Sequence, residues 1–171
     1  DQSNFKSVLN SLKESIGRVV FPFMFPVNEG EGFNTVVDVL NKKLHTYKID
    51  GSGSYDSAEL GDDWSGKVDV LNEELMELVA ESDEDLLEKY FDQGKLSSED
   101  MASGIKNAIK TKSLVPVFCT SSTQNIGVSG MMDMISSFSP TAQDTKEPDT
   151  SGMSAFVFKT ISEEHVGELS F

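Results

Sequence analysis

The spacing of apolar residues along this chain changes repeatedly between helical and strand-like, and this pattern predicts a mixed α/β fold. Residues 4–16 place Phe5, Val8, Leu9, Leu12 and Ile16 on one face of a helix. Gly17 follows as the stop signal of that helix. The chain therefore opens with an amphipathic helix.

Three strands are predicted next. The run VVFPFMFPV, residues 19–27, is rich in β-branched and aromatic residues and predicts a buried strand. Its two prolines indicate that this strand lies at the edge of a sheet or is interrupted. Residues 33–40 and 43–49 predict two further strands that can pair antiparallel. Residues 51–54, Gly-Ser-Gly-Ser, predict a flexible turn.

The middle of the chain is predicted to be helical. Apolar residues at helical spacing indicate a helical region from about residue 62 to 92 and another helix over 98–111. Residues 114–119, LVPVFC, are typical of a parallel strand. A polar loop at 120–126 then leads into a helix at 127–138.

The last segments differ in composition from the rest. Residues 139–153 contain almost no apolar side chain and predict a linker. Residues 154–171 alternate between apolar and polar positions, as in the first hairpin of a second, β-rich domain. Because the chain starts without methionine and stops inside this strand-like pattern, we expect it to be a fragment of a longer protein.

Charge narrows the possible partners. The 171 residues carry a net charge of −15, and the isoelectric point is about 4.4. Such a surface repels nucleic-acid phosphate and anionic lipid, so we expect no direct DNA binding, no membrane partner and a preference for basic proteins. The single cysteine, Cys119, excludes an intramolecular disulfide and fits a cytoplasmic location.

Residues 70–91 combine an apolar helical face with a row of glutamates. On a continuous helix the glutamates would form one negative stripe, although Ser82-Asp83 is a possible break that would split it. The row is open to two interpretations, a solvated helix face or a docking face for a basic partner. Its members are Glu74, Glu77, Glu81, Glu84 and Glu88.

Four segments of the chain, in order, resemble parts of one known protein family. Residues 22–27 with 33–40 resemble the family's stretch that ends in Phe-x-Gly-Val-Val-Asp-Leu, and residues 74–90 resemble its Leu-x-Glu-x-x-Ala-Glu helix followed by Leu-Met-Glu-Lys-Tyr. Residues 114–128 resemble the strand and loop of its last guanine motif. Residues 156–167 resemble the opening of its second domain. The family that these four segments resemble is translation elongation factor G, a ribosomal translocase GTPase.

This resemblance implies an α/β fold: a partial P-loop GTPase-type domain with an inserted α+β subdomain, followed by the first strands of a β-barrel domain. The implied boundaries are 1–138 for the GTP-binding part, with the insertion at about 28–112, then 139–153 for the linker and 154–171 for the barrel. The P-loop pattern and the Asn-Lys-x-Asp motif are absent from the sequence. The full-length parent would use GTP and Mg²⁺, whereas the fragment alone is not expected to hydrolyse GTP or to need a cofactor.

The resemblance also names candidate binding residues. Thr120, Ser121 and Ser122 align with the family's Gly-Ser-Ala loop, whose backbone amides contact the guanine base; the other interpretation is an ordinary serine-rich loop between a strand and a helix. Carried over from the family, the glutamate row would engage the C-terminal domain of the ribosomal stalk protein. The residues themselves indicate no catalytic constellation and no metal site. We expect Cys119 to be a buried small hydrophobic residue. We expect His45 and His165 to have surface or packing roles.

Two functions follow as expectations. The first is a fragment of a ribosome-associated translational GTPase that acts in translocation of tRNA and mRNA. The second is a non-catalytic module of a diverged elongation-factor-G-like protein, which binds the ribosome through its stalk.

Overall fold

The computed structural model describes residues 4–141, 144 and 156–171. They divide into two compact units, and the division in the chain falls between residues 140 and 141. Within the described residues there are five α-helices and eight β-strands, so the fold is mixed α/β. None of these helices is both long and apolar enough to cross a membrane.

The first unit contains eleven of these elements. In chain order they are α1 (Phe5–Ile16), β1 (Val20–Pro22), β2 (Met24–Pro26), β3 (Thr35–Asp38), β4 (Lys43–Tyr47), β5 (Tyr55–Glu59), α2 (Asp62–Ala80), α3 (Glu84–Gln93), α4 (Ser98–Lys110), β6 (Val115–Val117) and α5 (Val128–Phe138).

The predicted strand at 19–27 is in fact two strands that belong to different sheets. β1 pairs in parallel with β6, which confirms the parallel character predicted for residues 114–119, and β2 pairs antiparallel with β3. Phe23 lies between them: its N–H donates to the Val117 carbonyl at 2.9 Å, and its carbonyl accepts from the Val39 N–H at 3.0 Å. One residue thus connects the two sheets. The predicted strand is buried and is interrupted, one of the two alternatives that its prolines left open, but the change of sheet at Phe23 was not predicted.

The larger sheet is antiparallel with the strand order β2-β3-β4-β5. The pairing of β3 with β4 confirms the antiparallel arrangement of residues 33–40 and 43–49. β5 was not predicted, because its sequence YDSAE has no apolar alternation. All five of its residues are exposed at the sheet edge, which removes the signal that burial would impose on the sequence.

The helical region over 62–92 is two helices. α2 ends at Ala80, and the Ser82 hydroxyl donates to the Val79 carbonyl at 2.7 Å. Asp83 then caps α3, since its carboxylate accepts from the N–H groups of Asp85 and Leu86. The five glutamates therefore do not lie on one continuous helix. The helical region breaks at Ser82-Asp83, and this break splits the acidic row.

Two hydrophobic clusters hold this unit together. The larger joins β1, β2 and β3 to α2, α3 and α4 through side chains such as Phe21, Phe23, Leu75 and Ile105. The smaller consists of the buried residues Met24, Val36, Tyr47 and Ile126, with Phe33 and Phe118 against it. The smaller cluster matters for the candidate site because it joins the sheet to the loop after β6.

The second unit contains an antiparallel hairpin of β7 (Thr160–Glu163) and β8 (Gly167–Ser170). Gly167 has a φ of +82°, a conformation that favours glycine in such a turn. The hairpin predicted for residues 154–171 is thus confirmed over 160–170. Most of the predicted linker, residues 139–153, lies outside the described residues.

Candidate functional site

A cavity of about 720 Å³ lies beside the loop predicted to contact guanine. Three segments form its walls: the start of α1, residues 29–33 before β3, and the loop after β6. Aromatic and aliphatic side chains make up part of the lining, namely Phe5, Val8, Pro26, Phe33 and Phe118. A cavity of this size and mixed character is typical of a site for a small organic molecule.

The start of α1 is fixed against the opposite wall of this cavity. The Asn4 side chain caps the helix by accepting from the Ser7 N–H at 2.8 Å. The Phe5 N–H donates to the Glu29 carboxylate at 3.1 Å. Glu29 and Glu31 bring negative charge to the lining, so this cavity disfavours phosphate and suits a neutral ring that donates hydrogen bonds.

The loop after β6 is closed by a tight turn. Ser121 and Ile126 exchange two backbone hydrogen bonds, at 2.9 and 3.0 Å, and residues 122–125 turn between them. Gly127, at φ +72°, ends the loop, and a Cβ there would lie 2.5 Å from the Cys119 carbonyl oxygen. The loop therefore requires glycine at this position for its backbone to approach so closely.

The three predicted guanine-loop residues differ in what their backbone can offer. The Ser121 N–H is already used in the bond to Ile126, so it is not available to a ligand. The N–H groups of Thr120 and Ser122 form no hydrogen bond within the described part of the chain. Thr120 and Ser121 line the cavity; Ser122 does not line it but lies between two residues that do, Ser121 and Thr123.

Cys119 also lines the cavity and is half-buried, whereas a buried side chain was predicted. Burial raises the pKa of its thiol to about 11, and the charge of Glu29 adds to the effect. At neutral pH the sulfur is therefore protonated and a poor nucleophile, which agrees with a packing role.

The loop touches the turn between β4 and β5. The Asn125 side-chain amide donates to the Gly51 carbonyl at 3.3 Å. The approach is close enough that a Cβ on Gly53 would lie 2.5 Å from the Asn125 amide nitrogen. The predicted flexible turn at 51–54 is thus a turn whose glycines permit a contact with the loop. The sequence alone did not identify Asn125 as the loop residue that makes this contact.

A second contact joins β4 to α5. The hydroxyls of Tyr47 and Ser129 are 3.2 Å apart, and the Tyr47 ring is buried in the smaller cluster beside Ile126. Gly130 faces Met24 so closely that a Cβ would lie 2.9 Å from its sulfur. The end of the loop and the start of α5 are therefore held against the sheet.

The five glutamates lie on two helices and the turn between them, and they differ in their pairing. Glu74 forms an ion pair with Lys13 at 2.9 Å, and Glu81 forms one with Arg18 at 2.5 Å. Lys89, the nearest cation in sequence, pairs instead with Asp100 at 2.5 Å. The other three glutamates form no ion pair within the described ranges; they are Glu77, Glu84 and Glu88.

His45 has the structural surroundings that were predicted for it. Its Nδ1 is 2.9 Å from the Ser57 hydroxyl, and its Nε2 is 3.5 Å from an Asp38 carboxylate oxygen. Asp38 also accepts from the backbone and side-chain N–H groups of Asn41. Burial alone would raise the pKa of Asp38, but these hydrogen bonds, first that of His45, outweigh it and hold the pKa below its ordinary value.

Within the described ranges, no three His, Cys, Asp or Glu side chains are grouped so that they could hold a metal ion. Exposed His165 lies in the turn between β7 and β8.

Comparison with known proteins supplies a structural likeness. No family model matches the sequence. The structure is similar to the crystal structure of a protein from Thermus thermophilus, with a TM-score of 0.77 and 23% identity over 98% of this chain. The chain spans 24% of the length of that protein. At this level of identity the likeness shows a shared fold.

Proposed function

We propose that this chain is part of a ribosome-associated translational GTPase resembling elongation factor G, which acts in translocation of tRNA and mRNA. In this proposal residues 1–138 form the guanine side of the GTP-binding domain with its inserted subdomain. The groups that hold the phosphates and Mg²⁺ belong to other parts of the full-length protein. GTP is the substrate, and the location is cytoplasmic.

One observation carries the proposal: the loop after β6 presents backbone N–H groups, unbonded within the described residues, beside a cavity with partly apolar walls. Ser122 supplies one of them, and the bond between Ser121 and Ile126 fixes the turn that presents it. A guanine ring needs a donor for its O6 atom, and a fixed amide supplies one without a rotatable side chain. The negative charge at the cavity also suits the N1–H and N2–H₂ donors of the base.

The test is nucleotide binding by the full-length protein with two variants of one residue. Ser122→Pro removes the amide hydrogen at the start of the turn, a position where proline is well tolerated. We expect GDP affinity to fall by about threefold to tenfold, the equivalent of one lost hydrogen bond. Ser122→Ala keeps the amide and should bind as the wild type does.

Competition by ADP makes this measurement specific. Unlabelled GDP should displace fluorescent GDP from a guanine site, whereas ADP should not. Displacement by both nucleotides, or equal binding by Ser122→Pro and wild type, would contradict the assignment of this loop.

A second candidate function rests on the three glutamates that form no ion pair within the described residues. Glu77, Glu84 and Glu88 lie on two successive helices of a chain with a net charge of −15. Carboxylates of this kind speed the association of a basic partner, and the stalk protein's C-terminal domain is the candidate. In this alternative the full-length protein binds the ribosome without efficient GTP hydrolysis.

Charge reversal tests that docking face. Glu77→Lys with Glu88→Lys changes two carboxylates without breaking an internal ion pair, so binding to the isolated stalk domain should weaken, most strongly at low salt. Asp56→Lys with Asp133→Lys makes the same change in net charge on β5 and α5 and should have a smaller effect. Equal effects of the two double variants would show that only net charge matters.

A further inference from the structure

We propose that β4 and the turn that follows it position the loop after β6, so that the larger sheet controls the dissociation rate of a bound guanine nucleotide. This inference rests on the proposed function, because it assigns a regulatory contact to the same loop. Asn125 is the central positioning residue, and Tyr47 supports it through its contact with Ser129, four positions further along the chain.

The contact joins parts of the chain that are distant in sequence. Asn125 and Gly51 are 74 positions apart, yet the side-chain amide of the first donates to the carbonyl of the second. Tyr47 and Ser129 are 82 positions apart, and their hydroxyls are 3.2 Å apart. Local turn geometry requires neither contact, so each fixes the loop relative to the sheet.

The backbone at both partners is adapted to this contact. Asn125 has a φ of +56°, a left-handed conformation that asparagine adopts more easily than most residues. Gly51 and Gly53 have φ values of +75° and +72°, and a side chain on Gly53 would collide with the Asn125 amide. Both segments thus adopt conformations that are unfavourable for most residues, and these conformations bring them together.

The turn that receives Asn125 has its own internal hydrogen bonds. Asp50 accepts from the Ser52 N–H at 2.9 Å, and the Ser52 hydroxyl accepts from the Ser54 N–H at 3.1 Å. The Lys48 N–H donates to the Ser54 carbonyl at 2.9 Å. The Gly51 carbonyl is therefore an ordered acceptor, and it can restrain the loop that binds it.

Buried apolar contacts reinforce these hydrogen bonds. Ile126, directly after Asn125, is fully buried against Met24, Val36 and Tyr47 of the sheet. A displacement of β4 would therefore move the end of the loop together with the Ser121–Ile126 bond that shapes it. A ligand that shifts the sheet would act on the nucleotide by the same contacts.

The variant Asn125→Gly isolates the side-chain contact, because glycine keeps the left-handed backbone and removes only the amide. In the full-length protein we expect fluorescent GDP to dissociate about threefold to tenfold faster, with little change in melting temperature. Lys112→Gly is the matched control, since Lys112 is an exposed residue with a φ of +63° in the turn after α4. It should leave GDP dissociation unchanged.

Tyr47→Phe tests the second contact by removing the hydroxyl and keeping the buried ring. Tyr55→Phe serves as its control, because the Tyr55 hydroxyl forms no hydrogen bond within the described residues. We expect faster GDP release from the first variant and wild-type release from the second.

Hydrogen exchange of the peptide covering residues 119–126 gives a readout that does not depend on nucleotide. Asn125→Gly should speed exchange in this peptide and leave the peptides of α2 and α4 unchanged. Unchanged exchange at 119–126, or GDP release from the variant at the wild-type rate, would overturn the inference. A wild type that does not bind GDP would overturn the proposed function instead, and exchange alone would then decide whether Asn125 holds the loop.

Discussion

Arg18 binds Glu81 with two hydrogen bonds, from Nη1 to Oε1 at 3.2 Å and from Nη2 to Oε2 at 2.5 Å. The pair joins the segment after α1 to the end of α2, and both side chains are exposed, Arg18 at 74% and Glu81 at 43%. An ion pair this exposed contributes little to stability. Its consequence is electrostatic, because it neutralises one of the five glutamates that the sequence groups as an acidic row.

Removing Arg18 should therefore change binding more than folding. For Arg18→Gln we expect the free energy of unfolding to change by less than about 1 kcal/mol, while association with a basic partner becomes faster at low salt. Stopped-flow association with the stalk domain, measured at two salt concentrations, checks this. Slower association would mean that Arg18 itself contacts the partner.

Asp38 should make stability dependent on pH. Its folded pKa lies below its ordinary value, so it contributes stability that is complete above about pH 4 and is lost as pH falls through the lower folded pKa. Asp38→Asn should cost about 1–3 kcal/mol at pH 7, because charge-assisted bonds from His45 and Asn41 are lost, and the cost should shrink in acid.

Urea unfolding of wild type and Asp38→Asn between pH 3 and pH 7 measures this effect. The two curves of unfolding free energy against pH should converge towards pH 3. Parallel curves would show that Asp38 acts through packing rather than charge.

Two glycines in helices make a matched pair for testing the helical layer. A Cβ on Gly104 of α4 would lie 2.4 Å from Val79 Cγ1 and 2.8 Å from Leu86 Cδ1, whereas a Cβ on Gly66 of α2 would meet nothing within 4 Å. Gly104→Ala should therefore destabilise the protein by about 1–3 kcal/mol through overpacking. Gly66→Ala should stabilise it by up to about 1 kcal/mol through helix propensity.

Thermal unfolding of the two alanine variants decides this prediction. If both raise the melting temperature, α4 packs less tightly on α2 and α3 than these distances indicate.

The sequence predicted those elements whose burial leaves a periodic pattern. α1, α4 and α5 were predicted within one or two residues, and the parallel character of residues 114–119 followed from their continuous apolar run. β5 left no pattern because every side chain is exposed. The prolines of residues 19–27 left an interruption open, but the change of sheet at Phe23 was missed. Both strands are buried, so the apolar composition is the same on either side of Phe23.

The candidate site was less predictable for a physical reason. A family resemblance, not a pattern in the chain, identified the loop residues Thr120, Ser121 and Ser122. The hydrogen bond that occupies the Ser121 N–H, made to the Ile126 carbonyl, depends on how the loop folds and leaves no mark in the sequence. The contact between Asn125 and Gly51 spans 74 positions and is made by residue types common in turns. No local pattern distinguishes such a pair from two ordinary turns.

The measurement closest to the central claim is GTP hydrolysis by the full-length protein, with and without ribosomes. A translational GTPase should hydrolyse GTP slowly alone and many times faster with ribosomes, and Ser122→Pro should require more GTP to reach the same rate. Ribosome binding without any stimulation of hydrolysis would contradict this account and favour the non-catalytic module that docks through its acidic helices.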